Sequence, residues 1–159
     1  MKILIVSDTH GKHENLREII NKVKPIDMLL HCGDVEDGEE IINELAGCET
    51  KIVAGNNDFF SALPRELEFD VEGYHVFMTH GNIYNIALGP ERIAEEGASR
   101  NADIVLCGHT HKPMVGNVDG IKVINPGSVS YPRQEGRRPS YVIWEFDQHG
   151  TPFFAVNYL

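Results

Sequence analysis

The amino-acid sequence predicts an α/β protein built as a four-layer α/β/β/α sandwich, two mixed sheets flanked by helices. Three observations point there. The first third alternates short β-branched runs with amphipathic helical stretches. The second half is dense in hairpin signals. A length of 159 residues favours one domain over residues 1–159, large enough to bury a core without disulfide or metal staples.

The elements follow in order. Residues 2–7 (KILIVS) are short and apolar, as a buried strand requires. Residues 13–23 carry Leu16, Ile19, Ile20 and Val23 at helical spacing, and Pro25 closes the helix. Residues 28–32 (MLLHC) read as the second strand. Residues 36–46 read as a helix with Ile41, Ile42 and Leu45 on one face, and residues 51–54 (KIVA) as the third strand. This β-α-β-α-β rhythm belongs to a mainly parallel sheet. After Asn56 the pattern changes. Residues 66–71 and 74–79 form a hairpin about Glu72-Gly73, residues 89–100 a helix and residues 104–107 a strand. Residues 115–118 and 121–125 flank Asp119-Gly120, and residues 141–147 and 152–158 make a last hairpin. Residues 130–140, rich in Pro, Arg and Ser, read as a surface loop.

Composition excludes several classes. Apolar residues are 42% and charged residues 24%, which leaves no room for wholesale disorder. Fourteen Lys and Arg stand against twenty-four Asp and Glu, a net charge of −10, so nonspecific nucleic-acid binding is not expected. Apolar runs such as residues 3–6 are far too short to span a membrane, and no export signal follows Lys2. Cys32, Cys48 and Cys107 are odd in number and lack CxxC spacing. They read as reduced thiols of a cytoplasmic protein.

Five of the strands end alike. They deliver Asp8 and His10, Asp34, Asn56, His80, and His109 with His111, most beside a glycine. Ligands of α/β sheets gather outside the carboxyl ends of strands. Four imidazoles, two carboxylates and one amide suit Mn, Fe, Co, Ni or Zn better than Mg or Ca. Seven donors exceed one tetrahedral ion but serve two ions that share a carboxylate, at the spacing of roughly 3.5–4 Å usual for displacement at phosphorus. Turn chemistry explains any one of the acids alone but does not call for four imidazoles.

The motifs DTH at 8–10, GD at 33–34, GNND at 55–58, THG at 79–81 and GHTH at 108–111, in this order, resemble the calcineurin-like metallophosphoesterases. Within them the chain is similar to the small single-domain phosphodiesterases of bacteria and archaea, and NPGS at 125–128 fits that subgroup. The resemblance implies two divalent metal ions, manganese favoured and Ni, Co, Fe or Zn compatible. Asp8, His10 and His111 would hold the first, Asn56, His80 and His109 the second, and Asp34 both. It implies attack of a metal-bridging hydroxide on a small phosphate ester, a diester rather than a monoester. Larger relatives place a histidine after the asparagine ligand. Here Asn57 stands there, as a catalytic and substrate-binding residue that can donate a hydrogen bond but no proton at neutral pH.

Arg133, Arg137 and Arg138 lie in the loop after NPGS, and Arg133 is the candidate for substrate binding. His31 reads as a core or supporting histidine, and Cys32 and Cys107 as buried. No nucleotide-loop or serine-elbow motif competes. The rival to an enzyme is an interaction scaffold of the same fold, as the retromer subunit is. A homo-oligomer is compatible with the sequence.

Overall fold

The computed structural model describes residues 1–159 and contains the expected elements in the expected order. The first sheet joins β1 (Lys2–Val6), β2 (Met28–His31), β3 (Glu49–Ile52), β9 (Ser140–Phe146) and β10 (Pro152–Tyr158) in the order β10-β9-β1-β2-β3. Strands β1, β2 and β3 are parallel, with Ile3 opposite Met28 and Met28 opposite Glu49, while β9 and β10 are antiparallel. The second sheet joins β4 (Glu66–Val71), β5 (Tyr74–Thr79), β6 (Ile104–Leu106), β7 (Pro113–Val118) and β8 (Ile121–Pro126) in the order β4-β5-β6-β8-β7. Its centre is parallel and its two edge strands antiparallel. Helices α1 (Glu14–Val23) and α2 (Glu39–Ala46) cover the first sheet, and α3 (Glu91–Ser99) the second. The four-layer α/β/β/α class is therefore the observed one.

Strand alternation sorts the core into layers. Ile3 and Ile5 of β1 join Leu30 and Trp144 between the sheets, against Val76, Met78, Leu106 and Ile124 of the second sheet. Leu4 and Val6, one residue out of phase, pack on Leu16, Ile19 and Ile20 of α1 and Ile42 of α2. Phe77, Val105 and Val123 seat Ile93 and Ala94 of α3. Each such aliphatic contributes about 1.5–3 kcal/mol on full burial. The structure places no helix long and apolar enough to cross a membrane.

Several boundaries differ from the sequence expectation. Helix α2 starts at Glu39, because Glu36 and Asp37 are left-handed, with φ of 55° and 63°, and bend the chain ahead of the helix instead. Strand β3 covers Glu49–Ile52 rather than 51–54. Its ladder with β2 begins at Glu49, and Ala54 N–H already leaves the sheet to donate to the Pro64 carbonyl. Strand β7 begins at Pro113, a residue that a sheet tolerates at the first position of an edge strand. Two short 3₁₀ turns, Asn82–Tyr84 and Ile86–Leu88, fill the path from β5 to α3.

Candidate metal centre

The carboxyl ends of β1, β2, β3, β5 and β6 meet at one edge of the sandwich. Asp8 N–H donates to the Gly33 carbonyl, His10 N–H to the Asp34 carbonyl, and Gly108 N–H to the His80 carbonyl, at 2.9–3.0 Å. Asp8, His10, Asp34, His109 and His111 all have left-handed backbones, with φ between 47° and 69°. Such conformations cost non-glycine residues roughly 1–2 kcal/mol each, so their concentration here marks a site that the rest of the fold holds in place.

The side chains converge. Asp8 Oδ1 lies 3.1 Å from His111 Nε2, 3.6 Å from His10 Nε2 and 3.8 Å from His80 Nε2. Asp34 Oδ2 lies 3.3 Å from His80 Nε2 and 3.8 Å from His10 Nε2. Two donor groups result, Asp8 with His10 and His111, and Asp8 with Asp34 and His80. Asn56 Oδ1 and His109 Nδ1 face each other at 3.1 Å beside them, the His109 ring standing edge-on to that of His80. All seven residues anticipated as ligands thus share one locality.

Hydrogen bonds behind the rings aim them. His80 Nδ1–H donates to the Cys32 carbonyl and His111 Nδ1–H to the Tyr131 carbonyl, each at 2.7 Å, while His10 Nδ1 meets Glu36 Oε1 at 3.0 Å. A carbonyl only accepts, so Nδ1 carries a proton, and in the neutral ring Nε2 turns a lone pair inward. Asp8 Oδ1 and His80 Nε2 are buried and make no hydrogen bond. His10 Nε2 and His111 Nε2 stand 3.3 Å apart, a spacing at which two lone pairs repel unless a proton or a cation lies between. These atoms fit a divalent cation.

The electrostatics agree. Burial pushes the Asp8 carboxyl up, but the surrounding imidazoles of His10, His111 and His80 outweigh it and hold it well below the usual carboxylate range. Burial likewise opposes ionisation of Asp34, and His80 with the Asn57 amide overcomes it. Burial disfavours the charged ring of His10, yet Asp8 and Glu36 raise its pKa to about 9; His80 is raised against its burial by Asp34 and Asp8. His109 is lowered by burial and by the neighbouring His80. Two carboxylates buried together demand positive charge.

Sequence reading missed part of what supports the site. Asp58, last residue of GNND and only 5% exposed, accepts backbone N–H groups of Val35, Glu36 and Gly55 at 2.7–3.2 Å. It ties the Asp34 loop to the Asn56 loop. The signal was present as an aspartate three residues after a glycine, the spacing of a side chain closing a turn. Glu36 behind His10 was also missed. Asn57, the candidate for substrate contact, also grips Asp34, its N–H on Oδ1 at 2.9 Å and Nδ2 on Oδ2 at 3.0 Å.

Asn125 donates Nδ2 to the Gly108 carbonyl at 2.9 Å, and Ser128 Oγ donates to the Asp8 carbonyl at 2.8 Å, so NPGS underpins the site. Two glycines are required by close approach. A Cβ on Gly55 would lie 2.1 Å from Asp34 Oδ1, and one on Gly108 2.1 Å from Ser7 Oγ.

The arginines separate. Arg133 lines two cavities at the site, Arg137 one of them, and Arg138 turns away to the Leu159 carbonyl. His31 is fully buried, donating to Thr9 Oγ1 and accepting from Gly33 N–H. Cys32 and Cys107 are buried, and burial pushes the Cys107 thiol up to about 12.

Fold and donor set together define a candidate divalent-metal centre at the shared edge of two sheets. The sequence profile of the calcineurin-like phosphoesterase superfamily domain matches residues 1–149. The chain belongs to this superfamily. It is 31% identical over 146 residues to a probable metallophosphoesterase of Bacillus subtilis, covering 90% of this chain and 83% of that one. It is also 31% identical over 146 residues to a phosphodiesterase of Methanocaldococcus jannaschii, covering 80% and 83%. Among solved structures, a predicted phosphoesterase from Streptococcus pneumoniae superposes with a TM-score of 0.80 at 25% identity, over 98% of this chain and 97% of that one. A zinc complex of Vps29 from Entamoeba histolytica gives 0.76 at 20% identity, over 99% of each chain, a likeness of fold alone.

Proposed function

We propose that this chain is a phosphoesterase of two divalent cations that hydrolyses phosphodiesters in preference to monoesters. Asp8, His10 and His111 would hold one cation, Asn56, His80 and His109 the other, and Asp34 both. Manganese is the favoured ion, and three free thiols suit a cytoplasmic setting. The observation that carries this reading is the pair of buried atoms, Asp8 Oδ1 and His80 Nε2, left without partners among inward-facing imidazoles.

When bound, the cations would supply Lewis acidity toward phosphoryl oxygens and would lower the pKa of a water toward neutrality. The chain supplies the rest. Glu36, Cys32 and Tyr131 fix the orientation of three rings through their Nδ1 atoms. Asn57 holds both oxygens of Asp34 in place, which keeps the carboxylate turned into the cluster. Arg133, which lines both cavities, would neutralise charge on the phosphoryl oxygens. No side chain at position 57 returns a proton to a departing alkoxide, so esters of acidic alcohols and phenols are the faster substrates.

The test is hydrolysis of bis(4-nitrophenyl) phosphate. Chelation abolishes turnover and added manganese restores it, with the circular-dichroism spectrum unchanged throughout. Metal-loaded protein that cleaves no phosphate ester would leave the scaffold reading in possession.

A further inference from the structure

The site opens into two cavities of unlike chemistry. The one beside His109, about 530 Å³, has Ile86, Pro90, Pro113 and Met114 along one wall, with Lys112 and Thr110 also on its lining. The one beside His10 and His111, about 600 Å³, is lined by Tyr131, Arg133 and Arg137. Arg133 borders both. The single carboxylate on the second cavity is Glu36, and it is turned to His10 Nδ1 at 3.0 Å. Neither Arg133 nor Arg137 enters an ion pair, as is true of every arginine here but Arg100, so both guanidiniums are open to an anion that enters this cavity. This cavity gathers two guanidiniums beside the site on a chain of net charge −10. Tyr131 stands edge-on to the His10 ring at 5.3 Å, and the Arg133 N–H donates to the His111 carbonyl at 2.9 Å, so this wall is fixed to the site.

A phosphomonoester has one organic arm and fills one cavity. A diester centred between the histidines has two. We propose that the substrate is an asymmetric phosphodiester, its apolar arm lodged against Met114 and Pro113 and its other arm carrying an anionic group held by Arg137 and Arg133. This deepens the phosphoesterase reading and rests on it. Guanidinium is suited to carboxylate or phosphate alike, so the recognised chemistry is the anionic group itself.

The test compares two esters of equal size, 4-nitrophenyl 3-carboxypropyl phosphate and its neutral carbamoyl counterpart, with manganese-loaded protein. In each reaction a water oxygen bonds to phosphorus and the phosphorus–aryloxy bond breaks. 4-Nitrophenolate leaves with the electron pair, the water protons pass to solvent, and the alkyl phosphate remains. The wild type should favour the carboxylate ester about three- to tenfold in kcat/KM, the range of one or two partly exposed charge-assisted contacts. Arg137→Gln, on an exposed loop residue, should bring that ratio to about one. Met114→Ala should lower kcat/KM for both esters together and leave the ratio standing. A wild-type ratio of one or less, or a ratio that survives Arg137→Gln, overturns the proposal while the phosphoesterase reading stands. Cleavage of neither ester overturns both.

Discussion

Asp58 is the residue whose replacement tests how the fold builds the site. Its Oδ1 accepts Val35 N–H at 3.0 Å and Glu36 N–H at 2.7 Å; its Oδ2 accepts Gly55 N–H at 2.7 Å. In Asp58→Asn the amide oxygen can keep Val35 and Glu36, but the NH₂ group then opposes the Gly55 N–H. One buried donor left unpaired costs about 1–3 kcal/mol, and the two remaining bonds lose their charge assistance. The variant should lose about 2–4 kcal/mol of stability in all. Urea unfolding of chelator-treated protein would show this as a midpoint lower by about 1–2 M at an ordinary m-value. Asp37→Asn, an exposed neighbour, is the control and should stay within about 0.5 kcal/mol of wild type. A midpoint for Asp58→Asn equal to that of the control would show that the two ligand loops do not depend on this carboxylate.

Two further outcomes follow from buried groups. Burial holds the His31 pKa down at about 4, against the pull of Asp8. Its stabilisation is therefore complete above about pH 6.5, the value of the free ring, and is lost as pH falls toward 4, roughly 3 kcal/mol in total. Chelator-treated His31→Gln should show a flatter fall in urea stability between pH 7 and 4.5; a slope equal to wild type would refute the assignment. Asn57→His places an imidazole of pKa about 6.5 beside Asp34 and offers a proton to the leaving group. At saturating manganese it should gain more on alkyl esters and monoesters than on activated aryl diesters, with a pH dependence absent from the wild type. Equal effects on both substrate types would place Asn57 away from the leaving group, acting only on Asp34.

Hydrophobic runs disclosed the central strands well, because β1, β2, β5 and β6 are buried on both faces and read as near-continuous apolar stretches. Edge strands were less legible. Strand β3 includes the exposed Glu49 and the polar, half-buried Thr50, whose hydroxyl donates to Asn43 Oδ1 of α2, so the apolar signal began two residues late. The start of α2 misled for another reason. Glu36 is a good helix former, yet the tertiary demand for a bend that brings it behind His10 overrides its propensity. The ligand candidates were visible because their chemistry repeats at strand ends. Their left-handed backbones, and the grip of Asp58 on two distant loops, arise only when β2 and β3 are paired, and no local pattern records that pairing. The three loop arginines were indistinguishable in sequence. Their separation comes from the path of residues 130–140, which sends Arg138 to the carboxyl-terminal Leu159 and Arg133 to the site.

The central claim is that Asp34 is shared by two cations held by the seven converging residues. Metal content per chain, measured after loading with manganese and gel filtration, tests it most directly across the wild type, Asp34→Asn and His111→Ala. The account predicts two ions in the wild type, loss from both positions in Asp34→Asn, and loss chiefly of the first ion in His111→Ala. An Asp34→Asn protein that retains two ions and wild-type turnover would contradict it.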